Sequence, residues 1–238
     1  MKNKNTILTT MAVMSLGLAA CHSGSNSDSE MDRFVSDLMS RMTLEEKVGQ
    51  LNLKSNWMYF TNATINEEDL SIKQIKQGLM GGVYGFTNQE MISKIQHYAV
   101  DSTRLGIPLL FGNDVIHGLE TVYPIPLAIS TSWNMELVEQ SARMAAREAT
   151  SVGINWVFSP MVDICRDARW GRISEGGGED PYLGGEIAKA YVRGYQGQDL
   201  TADSTVMVCV KHYALYGGAE AGRDYNSVFL SRQEAHNG

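Results

Sequence analysis

The sequence has 238 residues and a formal net charge of −7, with 43% hydrophobic and 20% charged side chains. This is the balance of an ordinary globular domain with one sizeable core. No basic run offers a track for phosphates, so no nucleic acid is expected as a partner. No His, Cys and carboxylate set falls at metal-ligand spacing, so neither a metal nor a cofactor is expected.

The chain opens with Lys2 and Lys4, an apolar stretch from Ile7 to Leu18, then Ala19, Ala20 and Cys21. That pattern is a secretory signal, too short and wrongly flanked for a spanning helix. The Leu18-Ala19-Ala20-Cys21 ending resembles a bacterial lipobox, which implies lipidation of Cys21 as the first mature residue. The expected organisation is a signal at 1–20, a flexible tether at 21–30 and a single domain at 31–238. A lipid at Cys21 would anchor the protein to a membrane, periplasmic or at the cell surface, with no transmembrane helix. Cys165 and Cys209 remain, too few for a disulfide framework.

From Met31 onward helical and strand-like patterns alternate. Phe34, Val35, Leu38 and Met39 show helical spacing, and Thr43 with Glu46 makes a capping box for a helix running to Leu51. Strands are expected at 82–86, 107–111, 154–158 and 206–210, with helices at 88–103, 134–152 and 181–195. Asn134 and Asp180-Pro181 are suitable helix starts. Apolar strands alternating with helices argue for a parallel sheet covered by helices. No Gly-x-Gly-x-x-Gly follows a strand, which disfavours a dinucleotide-binding sheet.

Polar residues gather where the apolar runs stop. Leu109-Leu110-Phe111 leads into Asn113-Asp114 and His117, Val157-Phe158 leads through Pro160 to Asp163, and the run from Val206 leads into Lys211-His212. In a closed (β/α)8 barrel such strand tips converge on one face, where barrel enzymes place their sites. A TIM-type barrel is therefore the expected fold, incomplete because its last strands are missing from the 238 residues.

Side-chain chemistry nominates four ligand-binding residues. Asp114 can accept hydrogens from two adjacent hydroxyls. Arg172, in the loop Arg166-Asp167-Ala168-Arg169-Trp170-Gly171-Arg172, can donate as a fork to a diol or a carboxylate. Lys211 offers three donors and a neutral His212 one. Trp170 either packs the loop or offers an apolar face to a ligand ring, Arg166 and Arg169 either pair with Asp163, Asp167 or Glu175 or touch ligand, and His97 and His117 are expected to serve packing and loop geometry.

The ordered series Gly112-Asn113-Asp114, Tyr123-Pro124-Ile125-Pro126, Ser159-Pro160-Met161-Val162-Asp163, Arg169-Trp170-Gly171-Arg172 and Lys211-His212-Tyr213 resembles the N-terminal domain of glycoside hydrolase family 3. The likeness is to the bacterial periplasmic β-glucosidase branch and runs from about Met31 to Ser231. It implies a retaining, exo-acting hydrolase of β-linked glucose or xylose, whose first subsite grips the sugar through Asp114, Arg172, Lys211 and His212. Asn134 stands where some relatives carry an Asp that touches the same sugar. The β-N-acetylglucosaminidase branch is disfavoured, because no second His follows Lys211-His212. No catalytic residue is assigned: the family's nucleophilic Asp and acid/base Glu are expected beyond Gly238. The resemblance leaves two readings, the front part of a β-glucoside hydrolase or a lipid-anchored protein that binds sugar without cleaving it.

Overall fold

The computed structural model describes residues 23–55 and 68–237, so the signal segment and Cys21 lie outside the described residues. The chain divides into two compact units, Met1–Lys47 and Val48–Gly238. Helix α1 spans Ser23–Arg41 in the first. It takes in residues 23–30 of the tract expected as a flexible tether. Once the amphipathic stretch after Met31 is helical, each residue added upstream gains a hydrogen bond without a new nucleation cost. Arg33 Nε also donates to the Ser29 carbonyl at 3.0 Å. The Thr43–Glu46 capping box forms in both directions, at 2.8 and 3.2 Å, and opens α2, Leu44–Gly49.

The larger unit is a parallel sheet of five strands in sequential order: β1 (Leu53–Ser55), β2 (Gly82–Tyr84), β3 (Leu110–Asn113), β4 (Trp156–Val157) and β5 (Met207–Val208). Every neighbouring pair is parallel, and a bridge from Met161 to Lys211 continues the last pairing beyond the strands. Helices cross between strands: α3 (Leu70–Lys76), α4 (Gln89–Ser102), α5 (Pro126–Ser130), α6 (Met135–Ser151) and α7 (Pro181–Gln196), with α8 (Arg232–Asn237) at the end. Sequentially ordered parallel strands, each followed by a crossover, are the α/β-barrel arrangement.

Helices α4, α6 and α7 lie within one residue of their expected bounds because each start carries a side-chain cap. Asn88, Asn134 and Asp180 accept from the backbone N–H groups of Met91, Leu137 and Leu183 at 3.0, 3.1 and 2.7 Å. The strands are shorter than their apolar runs. An apolar run marks burial, whereas a strand exists only where a neighbour supplies ladder bonds. Leu109, expected in a strand, instead has its N–H and C=O held by the Gln96 side chain of α4, at 2.8 and 3.3 Å. Likewise Val206 N–H donates back to the Tyr195 carbonyl of α7 at 3.1 Å. β1 and α3, too short to show a period, had no sequence expectation.

One buried cluster joins α6 and α7 to β4 and β5 through residues such as Val138, Ala142, Ala146, Val157, Ile187 and Tyr195. A second joins α3 and α4 to β2 and β3 through Ile72, Ile75, Val83, Ile95, Leu109 and Phe111. Gly112 in β3 has a reason to be glycine: a Cβ there would lie 2.8 Å from Cζ of Phe158. That ring fills the space over the sheet, stacking on Tyr84 at 5.2 Å and meeting Trp156 edge-on at 4.6 Å.

Candidate active site at the strand tips

Each strand of the sheet delivers its polar residues at its C-terminal end. Tyr84 closes β2, and its hydroxyl donates to Oδ2 of Asp114, just past β3. Burial, and then the Asp114 bond, push the Tyr84 hydroxyl pKa up to about 12. The ring is fixed from below by Phe158, so this hydroxyl is a rigid donor. Lys211 donates from Nζ to the other oxygen of Asp114, Oδ1, at 2.7 Å. The Lys211 side chain is 11% exposed and that of Asp114 42%. Asp114 is therefore anchored at both oxygens by protein donors while facing solvent. Each oxygen keeps an unused lone-pair direction, and Lys211 keeps two hydrogens.

Arg172 sits in a short 3₁₀ turn, Gly171–Glu175. Glu175 binds it as a fork, Nε to Oε1 at 2.5 Å and the terminal nitrogen to Oε2 at 2.7 Å. This hydrogen bonding raises the guanidinium pKa further, so Arg172 is a permanent cation. Its carbon lies 5.4 Å from the Tyr216 ring centroid. Tyr216 in turn donates to Asp224 Oδ1 at 2.6 Å, and Trp170 Nε1 donates to the same oxygen at 2.9 Å. Trp170 is 1% exposed, a packing residue as its loop required. Arg169 turns outward and pairs with Asp167.

A cavity of about 590 Å³ opens on this face, lined by Asp114, His117, Ile125, Arg172, Glu175 and Tyr225 among others. Asp114 and Arg172 thus share one cavity, and Lys211 joins it through its bond to Asp114. His212 stands apart. It lies on a neighbouring cavity of about 220 Å³ with Asp163 and Arg166, and its ring meets the edge of Tyr216 at 5.0 Å. Of the other histidines, His97 is exposed on α4 and contacts the Ser93 carbonyl, while the His117 backbone receives the Tyr123 N–H. Asn134 spends its side chain as the α6 cap.

Sequence reading missed Tyr84, Tyr216, Asp224 and Tyr225. Glu175 was expected beside Arg166 or Arg169 and instead holds Arg172, a pairing its i,i+3 spacing could have signalled. Tyr84 carried one signal, its place at the end of a strand run just before Gly85. Tyr216, Asp224 and Tyr225 carried none, since they reach the site through an irregular loop.

Residues 43–237 match the glycosyl hydrolase family 3 N terminal domain. The chain is 40% identical over 206 residues to a periplasmic beta-glucosidase of Salmonella typhimurium, covering 87% of this chain and 26% of that protein. It is 30% identical over 222 residues to a beta-xylosidase of Formosa agariphila, covering 88% and 24%. Among solved structures, the Listeria innocua beta-glucosidase in complex with glucose superposes with a TM-score of 0.75 at 41% identity, covering 86% of this chain and 30% of that one. The same enzyme's D270A mutant with laminaribiose gives a TM-score of 0.77 at 42% identity, covering 86% and 29%. The chain spans less than a third of the length of these relatives. It belongs to glycoside hydrolase family 3, through that family's N-terminal α/β-barrel domain.

Proposed function

We propose that the strand-tip cavity is the sugar-holding part of a retaining, exo-acting β-glucosidase. One observation carries the reading: Asp114, anchored at both oxygens yet 42% exposed, shares a cavity with the permanently charged Arg172 and is bridged to Lys211. Such a carboxylate accepts from adjacent sugar hydroxyls while the two cations donate to their oxygens. The glucose and laminaribiose complexes of the Listeria relative support the choice of substrate. Its tie to Lys211 makes Asp114 a poor nucleophile. Retention needs two carboxyl groups about 5–5.5 Å apart, one of them free to attack. We therefore assign Asp114 to binding, and assign no described residue of the cavity to nucleophilic attack. The Formosa relative favours xylose as the second reading.

Export is part of the same proposal, supported by the 1–20 signal pattern and by a relative named as periplasmic. Lipid attachment at Cys21 would then hold the domain at a membrane; no helix among the described residues is long and apolar enough to span one. Cys21→Ser is expected to move the protein from the membrane to the soluble fraction, and an unchanged distribution refutes the anchor.

The test of the site is titration of the 238-residue chain with glucose and with xylose. Saturable glucose binding is expected, weakened at least tenfold by Asp114→Ala. A hydrogen bond to a charged group contributes about 1.5–3 kcal/mol. No turnover of an aryl β-glucoside is expected from the same chain. Undiminished binding by the variant overturns the sugar site, tighter binding of xylose selects the second reading, and turnover overturns the assignment of these residues to binding alone.

A further inference from the structure

Asp163 ends the loop after β4 and is unused by the sugar site as described so far. Its side chain is 1% exposed, yet it carries a carboxylate. Burial of such a group is costly unless it is hydrogen-bonded. Among the described residues, both of its donors belong to one residue: Oδ2 receives the backbone N–H of His212 at 3.0 Å and faces His212 Nδ1 at 2.8 Å. Among the described residues, Nδ1 is the ring nitrogen with a hydrogen-bond partner, and the His212 side chain stays 32% exposed.

A carboxylate only accepts, so the proton of a neutral imidazole facing it sits on Nδ1, and Nε2 is left as an acceptor. We propose that Asp163 is the positioning residue of His212, fixing this tautomer so that the ring meets a sugar hydroxyl as an acceptor. The proposal rests on the family likeness for the sugar contact of His212; this sequence neighbour of Lys211 lines the cavity of about 220 Å³ and not the one shared by Asp114 and Arg172. It reverses the role expected from sequence, in which His212 was a donor beside Lys211. The pair Lys211-His212 then presents a donor and an acceptor in succession, which matches hydroxyls that each give one hydrogen and take another. A sugar hydroxyl replaced by fluorine keeps a weak acceptor and loses its donor, so it could satisfy Lys211 but not His212.

The experiment is long-range ¹H–¹⁵N correlation of the 238-residue chain at about pH 8.5, where an ordinary imidazole, with a pKa near 6.5, is neutral. The His212 proton is expected on Nδ1 in the wild type. Asp163→Ala should shift it toward Nε2 and weaken glucose binding about tenfold. Asp163→Asn keeps an oxygen that can accept from Nδ1–H and should recover part of both. A residue that only stabilises the fold would move the melting temperature and leave the tautomer alone. An Nε2 proton in the wild type overturns the proposal, as does an unchanged tautomer in Asp163→Ala. Should the alanine variant fail to fold, the wild-type spectrum and Asp163→Asn decide the matter. Glucose affinity unaffected by His212→Ala, with the tautomer still set by Asp163, overturns instead the sugar-site reading of His212.

Discussion

Between α6 and α7 the buried contacts are apolar; at the strand tips they are polar, half exposed and carried on unusual backbone. The helix pair buries Ala142, Ala145, Ala146 and Ala149 against Ile187, Ala190 and Tyr191. Among the described residues, the non-glycine positions with positive φ are Val115, Trp133, Leu215, Ala221 and Tyr225, none of them inside α6 or α7. Val115 follows Asp114, Tyr225 follows Asp224 and Leu215 precedes Tyr216, so three of the five adjoin groups of the site network. A left-handed backbone costs a side-chain-bearing residue on the order of 1–3 kcal/mol and persists only where its surroundings over-determine it. The helix layer supplies surplus packing, and the tip loops consume part of it to aim side chains at one cavity.

The comparison breaks most visibly if the helix layer is forced apart. Gly194 of α7 faces α6, and a Cβ there would stand 2.5 Å from the Ala142 Cβ and 2.5 Å from the Glu139 carbonyl. Backbone cannot yield as a flexible side chain does. Gly194→Val is expected to cost about 3 kcal/mol, read as a lower urea midpoint. A midpoint unchanged from wild type would mean that the two helices are not in close contact.

A smaller effect tests the link between the two regions. Tyr195 belongs to α7 and is 1% exposed, and its hydroxyl donates to the Val115 carbonyl at 2.6 Å. The helix layer thus holds the residue that directs the chain away from Asp114. Tyr195→Phe leaves a buried carbonyl unpaired, for an expected loss of about 1–3 kcal/mol. Glucose affinity should fall with it, although Tyr195 lines no wall of the cavity. Lost stability with intact glucose binding would show that the tip holds its shape without the helix layer.

The same division explains what was legible in the sequence. Helices α4, α6 and α7 declare their limits through Asn88, Asn134 and Asp180, because a cap is a local event. The barrel class followed from strand order and from polar residues at strand ends, both of which survive in one dimension. Strand ends were not legible, since whether Leu109 joins a ladder depends on Gln96 reaching across from a helix. At the site, Asp114, Arg172 and Lys211 stood out by chemistry and family likeness. Their partners Tyr84 and Tyr216, at separations of 30 and 44 residues from Asp114 and Arg172, come together only through folding. The tract at 23–30 is helical for the opposite reason: low propensity in a short polar stretch gives way to the helix it adjoins.

The smallest expected effect sharpens the comparison by acid. Glu148, near the end of α6, receives the backbone N–H groups of Glu120 and Thr121 at 3.1 and 3.0 Å. These residues close the loop after β3, whose Gly118 takes φ 103° and lines the strand-tip cavity with His117. Hydrogen bonds from Thr121, side chain first and then backbone, hold the Glu148 carboxyl below the usual glutamate pKa. A carboxylate that ionises more readily folded than unfolded stabilises fully above the unfolded value, about 4.3, and loses that contribution as pH falls through the lower folded value. The loop should therefore loosen only in acid below about pH 4.3, with a change under about 1 kcal/mol because solvent screens the contact. Amide exchange of Glu120 and Thr121 across that window reads it directly. Glu148→Gln should exchange faster at neutral pH and lose this pH dependence, because the amide does not ionise there. If the variant keeps the wild-type acid response, another group holds the loop, and the helix layer reaches this side of the cavity only through Tyr195.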